Sequence, residues 1–315
     1  MHESRPARSL GRRHTSGLPF GRPGTFWRGN LHTHTTESDG ALTPRQTARH
    51  YQEHGYDFLA VTDHFRPEYD FPVTDTRALR GLGFTTLIGA ELHAPRTEAG
   101  PSWHIVAVGL PIGFAPPHPG EDGPQLARRA RAAGAFVGMA HPAASLLTVD
   151  DAESLDAAHA VEVYNALAER EHRGDSWHLT DTLLNRGHRL TAYAADDAHL
   201  QPQDPPACAA WVNVLAETLD PGLLLAALKA GDFYSSTGPE LYDVQLTDEA
   251  VVVRCSPADK VVLSGGAPGA QVVEGTDLTE CSLPHAMFRG GYCRVTVEDA
   301  FGGRAWTNPI HLDRA

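Results

Sequence analysis

Five times between residues 56 and 199 a short apolar run ends in a polar residue able to bind a cation or a substrate. Tyr56-Asp57-Phe58-Leu59-Ala60-Val61 ends in Thr62-Asp63-His64, and Thr86-Leu87-Ile88-Gly89-Ala90 ends in Glu91. Residues 136–140 run into His141-Pro142, residues 161–164 into Asn165, and residues 190–195 into Asp196-Asp197-Ala198-His199. Runs this short and this apolar read as buried strands. Helical stretches lie between them. Thr43-Pro44 supplies an N-cap and a first-turn proline for a helix through His54, halted at Gly55, and further helices are expected over residues 125–133, 177–185 and 221–230. The alternation is that of an α/β fold. In barrels of parallel strands the site is built from the C-terminal strand ends and the loops after them. His104 differs, because it begins its apolar run, His104-Ile105-Val106-Ala107-Val108.

The first strand is expected at residues 31–35, within Gly29-Asn30-Leu31-His32-Thr33-His34-Thr35-Thr36-Glu37-Ser38-Asp39-Gly40. On an extended segment His32 and His34 point the same way, so both imidazoles can reach one cation, and Asp39 follows on a loop ended by Gly40. Imidazole with carboxylate suits Zn, Fe or Mn better than Ca, which prefers an all-oxygen shell.

The net charge of −13 argues against a basic groove for duplex nucleic acid. No stretch approaches the length needed to cross a bilayer, and residues 1–26, rich in Arg, Gly and Pro, lack the apolar core of a secretory signal. The expectation is a cytoplasmic protein with a disordered tail over residues 1–26. Cys208, Cys255, Cys281 and Cys293 form no Cys-x-x-Cys pair, which speaks against thiolate zinc. Cys281 and Cys293 could pair, but free buried thiols are the expectation.

Beyond Gly231-Asp232-Phe233-Tyr234-Ser235-Ser236-Thr237-Gly238-Pro239 the apolar period switches to two, in runs such as residues 242–246, 250–255, 260–263, 292–297 and 307–312. Turn clusters separate them, as in a small β-sandwich. The division expected is a barrel over 27–238 and a sandwich over 239–315.

Taken together, the motifs resemble the PHP (polymerase and histidinol phosphatase) superfamily. They are Leu31-His32-Thr33-His34 with Ser38-Asp39-Gly40, Thr62-Asp63-His64, Gly89-Ala90-Glu91, His104, His141-Pro142 and Asp197-Ala198-His199, in the family's order. The resemblance implies a distorted (β/α)7 barrel with two to three divalent ions (Zn, Mn or Fe). It implies that His32, His34, Glu91 and Asp197 hold a first ion. Glu91 would bridge to a second, completed by His104 and His141, and Asp39, His64 and His199 would hold a third. Asp63 is read either as a residue orienting a bound imidazole or as a strand-end cap. Asp232 to Pro239, the β-rich tail and Ala305-Trp306-Thr307-Asn308-Pro309-Ile310 are similar to the CehA/McbA branch, in which a PHP domain precedes a small β-domain. That branch is named for hydrolysis of an aryl carbamate, whereas the wider family acts mainly on phosphate mono- and diesters.

The resemblance implies metal-assisted hydrolysis, with Glu91, Asp197 and His199 at the reacting centre. Three ligand carboxylates against three dications leave a positive site, so a small anionic substrate, a phosphate ester, ranks first. Candidate substrate contacts are Arg66, His93, Asn165 and His178, with Thr35, Thr36 and residues 235–237 beside them. Glu37 places an acid near the first motif and leaves room for a neutral ester or carbamate. The rival from another class is a non-catalytic metal- or ligand-binding module. In the family that the chain resembles, loss of catalysis goes with broken ligand motifs, and all nine corresponding positions are filled here.

Overall fold

The computed structural model describes residues 17–312. In chain order its elements are β1 (Thr25–Asn30), α1 (Pro44–Glu53), β2 (Phe58–Val61), β3 (His64–Phe65), β4 (Thr85–Ala94), β5 (Trp103–Val108), α2 (Gly123–Ala132) and β6 (Phe136–Met139). Next come α3 (Val149–Ser154), β7 (Ala160–Asn165), α4 (Ala166–Glu169), α5 (Trp177–Asn185), β8 (Thr191–Ala195), β9 (Trp211–Ala216) and α6 (Pro221–Ala230). The rest is strand: β10 (Phe233–Ser236), β11 (Leu241–Leu246), β12 (Ala250–Gly265), β13 (Gln271–Pro284), β14 (Tyr292–Glu298), β15 (Arg304–Thr307) and β16 (Ile310–His311).

The helices start where local chemistry starts them. Thr43 and Gln46 cap each other's backbone at α1, Asp122 and Gln125 do the same at α2, and a proline occupies the first turn of both. Glycine at 231, with φ +81, closes α6 in the left-handed conformation that side chains resist.

All the strands belong to one hydrogen-bonded network. From one end the order is β11-β12-β14-β15-β10-β9-β1-β2-β4-β5-β6-β7-β8, with β13 on β12, β16 on β14 and β3 on β4. The path is open. Among the described residues the segment after β1 meets the segment after β8 in an isolated parallel bridge between Thr33 and Ala198. Pairing is parallel for β1–β2, β2–β4, β6–β7 and β7–β8 but antiparallel on both sides of β5. This inversion explains why His104 begins its run. On a reversed strand the first residue lies at the mouth that the other strands reach with their last, and His104 is registered opposite His93.

Three expectations change. Residues 31–35 are not the first strand: β1 lies earlier, paired with β9, and the chain leaves the sheet at Leu31. Of the tail expected over residues 1–26, residues 1–16 lie outside the described residues, and residues 17–26 are not loose, because Leu18 and Phe20 are buried in the C-terminal apolar core and Phe20 packs on Phe26 and Tyr234. The strands after residue 239 do not form a separate hydrogen-bonded sheet. They have a core of their own, built on Val251, Val253, Val261, Leu263, Val295 and Val297, yet β15 pairs with β10, which pairs with β9. Trp306 on β15 is 1% exposed and belongs to the apolar core under β4–β8. Asn308 ties the two parts further, accepting from the Ala192 N–H and donating to the Gly231 and Phe233 carbonyls. All four cysteines are free.

Candidate metal centre

Glu91 lies in the middle of β4, not at its end, because β4 runs on to Ala94 against β5. It is fully buried, and imidazoles surround it. Its Oε1 is 2.7 Å from His104 Nδ1, 3.3 Å from His141 Nε2 and 3.5 Å from His32 Nε2. Its Oε2 faces His64 Nδ1 and lies 3.2 Å from His93 Nε2 and 3.8 Å from His34 Nε2. On one flank Asp197 Oδ1 lies 3.0 Å from His34 Nε2 and 3.2 Å from His32 Nε2. On the other, Asp39 stands 3.3 Å from both His64 Nε2 and His199 Nε2. Residues far apart in the chain thus meet at one mouth, the nine expected ligand residues among them.

The grouping differs from the expected one in two respects. His34 lies between two clusters: its Nε2 faces Asp197 while its Nδ1 points to the set formed with Asp39, His64 and His199. His93, expected to touch substrate, lies with His64 and Glu91 in a donor set of its own.

Two features of the local chain hold these groups. At Gly40 an added Cβ would meet the His34 carbonyl oxygen at 2.5 Å, so only glycine lets the loop carrying Asp39 fold back onto the histidine segment. Asp63 pins the same loop. It accepts from the Thr35 N–H and hydroxyl and from the Ser38 and Thr74 hydroxyls, and it touches no imidazole, which makes it a loop brace. His141 (φ 27) and Asp197 (φ 55) sit in backbone conformations unusual for side-chain-bearing residues, as happens where a site dictates geometry.

One acid escaped the motif reading. Glu162, buried on β7, sits in the middle of an apolar run and carries no family signature. Its Oε1 is 3.1 Å from His32 Nδ1, and its Oε2 accepts from the His141 backbone N–H at 2.6 Å and from Asn165 Nδ2 at 3.1 Å. The available signal was an acid inside a buried strand, a position that demands a partner.

The other candidates divide. Arg66 stands at the rim, its Nη2 donating to His93 Nδ1 at 3.1 Å and lying 3.5 Å from His104 Nε2. Asn165 is fully buried and braces Glu162 and Asp197 while its Oδ1 caps α4, so its side chain is already engaged. His178 is exposed along a groove with Pro142, Leu146 and Leu179, and no hydrogen bond or ion pair joins it to the cluster. Thr36 and Glu37 are exposed. Ser235 exchanges hydrogen bonds with the Ala192 carbonyl and Ala194 N–H, Ser236 turns to Pro239 and Gly238, and Thr237 pairs with Arg304. These three hydroxyls hold the sheet together.

The electrostatics test whether cations fit. Burial opposes charge on Glu91, yet His104 and His93 hold its carboxyl well below the usual carboxylate range. Burial likewise opposes charge on His64, but Asp39 and Glu91 overcome it and push its pKa up to about 9. His34 is pushed down to about 3 by burial with His199 and His64 beside it, against the pull of Asp197, and burial takes His93 to about 4. Glu91 is thus ionised and His34 neutral, the ligand form of each, whereas His32, His64, His141 and His199 are raised against burial by the carboxylates around them, a positive charge that a bound cation would replace. In addition, His32 Nε2, His34 Nδ1, Asp39 Oδ1 and Glu91 Oε2 are buried with no hydrogen-bond partner. Orphaned donor atoms converging on shared points are what coordinated ions satisfy. The residues fit divalent cations.

No protein-family model matches the chain, and no curated protein matches it. Among solved structures, a two-domain protein from Bacteroides vulgatus containing a predicted PHP-like metal-dependent phosphoesterase matches with a TM-score of 0.52 and 16% identity, covering 91% of this chain and 95% of its own. A putative metal-dependent phosphoesterase from Bifidobacterium adolescentis gives a TM-score of 0.43 at 18% identity, over 64% of this chain and 96% of its own. An amidohydrolase from Chromobacterium violaceum gives 0.43 at 16% identity, over 56% and 89%. The first of these shows a shared fold that extends through the C-terminal strands.

Proposed function

We propose that this chain is a metal-dependent hydrolase of the PHP type whose substrates are small phosphate esters. The observation that carries the reading is Glu91, a buried carboxylate reached by imidazoles on both oxygens, with unpartnered donor atoms of His32, His34 and Asp39 around it. Two to three divalent ions suit these donors, of the Zn, Mn or Fe kind that accept mixed imidazole and carboxylate ligands. His32, His34, Glu91 and Asp197 would hold one, Glu91 with His104 and His141 a second, and Asp39, His64 and His199 a third. When bound, such ions lower the pKa of water from 15.7 to about 7 and offset charge on a phosphoryl oxygen.

The chain's own residues do the rest. Glu91 and Asp197 fix the spacing of the positive charges. His199 donates from Nδ1 to the Asp197 carbonyl at 3.0 Å, which leaves Nε2 bare toward Asp39 and the mouth. Arg66, partly exposed at the rim, adds a cation where an anionic substrate enters. The B. vulgatus protein's description as containing a predicted PHP-like phosphoesterase supports the same reading.

A second reading has its own observation. Beginning at Pro142, next to His141, a groove of about 440 Å³ is lined by Ala143, Leu146, Leu147 and Leu179. An apolar wall there favours an aryl ester or carbamate, as in the CehA/McbA branch. Parallel assays with nitrophenyl phosphate, bis-nitrophenyl phosphate and a naphthyl carbamate, run on protein of measured metal content, decide between them. Metal-replete protein that turns over none of the three would end the hydrolase proposal and leave a binding module.

A further inference from the structure

On the outer side of α1, away from the Glu91 cluster, three further donors converge. His50 and His54 are one helical turn apart, with ring centroids separated by 4.3 Å. Cys208 comes from the loop between β8 and β9, held at φ 64 with its backbone N–H donating to Asp196 Oδ2 at 2.8 Å. One ligand atom from each of the three lies within 4.8 Å of the others.

We propose that His50, His54 and Cys208 form a second, structurally separate metal site for a borderline-soft divalent ion, zinc above all. Two imidazoles four residues apart on a helix present their donor atoms on one side. The tautomer of one is already set: His54 Nδ1 is 2.7 Å from the His50 carbonyl, so it carries the proton and Nε2 is free to ligate. The set contains a thiol and no carboxylate, which selects against Mg, Ca and Mn. With three protein ligands the fourth tetrahedral position is left to water. Burial, with Asp196 nearby, pushes the Cys208 thiol up to about 12 against the pull of Arg28, which stacks over the Trp211 and Tyr56 rings at 3.6 and 4.2 Å, so binding here would release the thiol proton.

The ion would act as a clip. The backbone N–H groups of Cys208, Ala209 and Ala210 all close on Asp196, the neighbour of Asp197, and Tyr51 of α1 donates to the same carboxylate. Joining α1 to Cys208 would therefore lock the loop that seats Asp196. The site does not depend on the hydrolase reading, since none of its ligands belongs to the Glu91 cluster.

The test uses the full chain stripped with chelator and titrated with Co²⁺, because only a thiolate ligand gives a near-ultraviolet sulfur-to-cobalt charge-transfer band. The Glu91 cluster contains no cysteine and is silent in that band. Wild type should develop it and saturate with a single thiolate-bound ion. Cys208→Ser should abolish it while turnover of nitrophenyl phosphate, if present in wild type, stays within about twofold. His54→Ala, which leaves the thiol in place, should weaken the ion giving the band by at least about tenfold, the loss typical even of an outer-shell partner. Absence of the band in folded wild type, its survival in Cys208→Ser, or an unchanged affinity in His54→Ala would each overturn the proposal.

Discussion

Replacing Glu162 by glutamine exchanges one carboxylate oxygen for an amide nitrogen at nearly constant volume, yet it should weaken the neighbouring ion position. Both oxygens of Glu162 are committed: Oε2 receives the His141 backbone N–H and Asn165 Nδ2, and Oε1 faces His32 Nδ1. In Glu162→Gln the oxygen must stay on the side with two donors, so the new amide N–H group faces His32 Nδ1. An N–H opposite an N–H is repulsive, and His32 relieves it by moving its proton to Nε2. That nitrogen is the one 3.5 Å from Glu91 and 3.2 Å from Asp197, so the atom able to ligate is now blocked. Restoring the ligating tautomer leaves a buried donor unpaired, at a cost of about 1–3 kcal/mol. That corresponds to a loss of roughly 5- to 150-fold in affinity, in line with the 10–100-fold typical of partners behind metal-bound histidines. Chelator competition on wild type and Glu162→Gln reads the affinity directly, and turnover at limiting metal should fall in parallel. Affinity within about threefold of wild type would refute the tautomer argument, because the substitution leaves no other way to keep Nε2 bare.

Glu91→Gln removes the central carboxylate, and the loss of one partner from a buried charged set costs about 3–5 kcal/mol. Turnover should drop by at least about a thousandfold with at least one ion lost by elemental analysis, and a variant with full metal and near-normal kcat would remove Glu91 from the reacting centre. Gly40→Ala drives a Cβ into the His34 backbone at 2.5 Å, so metal content should fall while the far-ultraviolet circular dichroism stays unchanged. Full occupancy there would show the loop approach to be unnecessary. His159 tests linkage away from the site. Burial, with Arg131 and Lys229 nearby, pushes its pKa down to about 4, so between pH 6.5 and 4 the unfolded chain takes up a proton that the folded chain refuses. Stability should therefore fall as pH drops through that window, by roughly 1 kcal/mol once partial exposure is allowed for. His159→Asn keeps an acceptor for the Val137 N–H and cannot titrate, so its pH–Tm curve should be flatter there; identical curves would contradict the assignment.

The local chemistry of the chain was enough to place several of its helices but not to limit its strands, since residues 250–265 form one strand where two runs parted by a turn were expected. Thr43-Pro44 acts on its own neighbours within a turn, and α1, α5 and α6 lie where that signal and the residue pattern put them. The donor types of the site were legible for a similar reason, since a histidine or acid at the end of a buried run has to be explained by something. What no local pattern encodes is direction and partnership. Only the folded sheet reverses β5 and thereby brings His104 to the mouth, and only it shows Glu91 within a strand instead of at its end. The same holds for Glu162, whose neighbours His32 and His141 are distant in sequence, and for Ser235 and Asn165, whose polar atoms are taken up by backbone groups and carboxylates that the chain order keeps far away. Continuity of β9 through β10 into β15 was hidden too, because a change of apolar period marks where side chains alternate but not which edge the next strand pairs with. Capping and burial are short-range and are written residue by residue, whereas hydrogen-bond pairing and ligand convergence depend on where the backbone returns, which is settled only when the whole core packs.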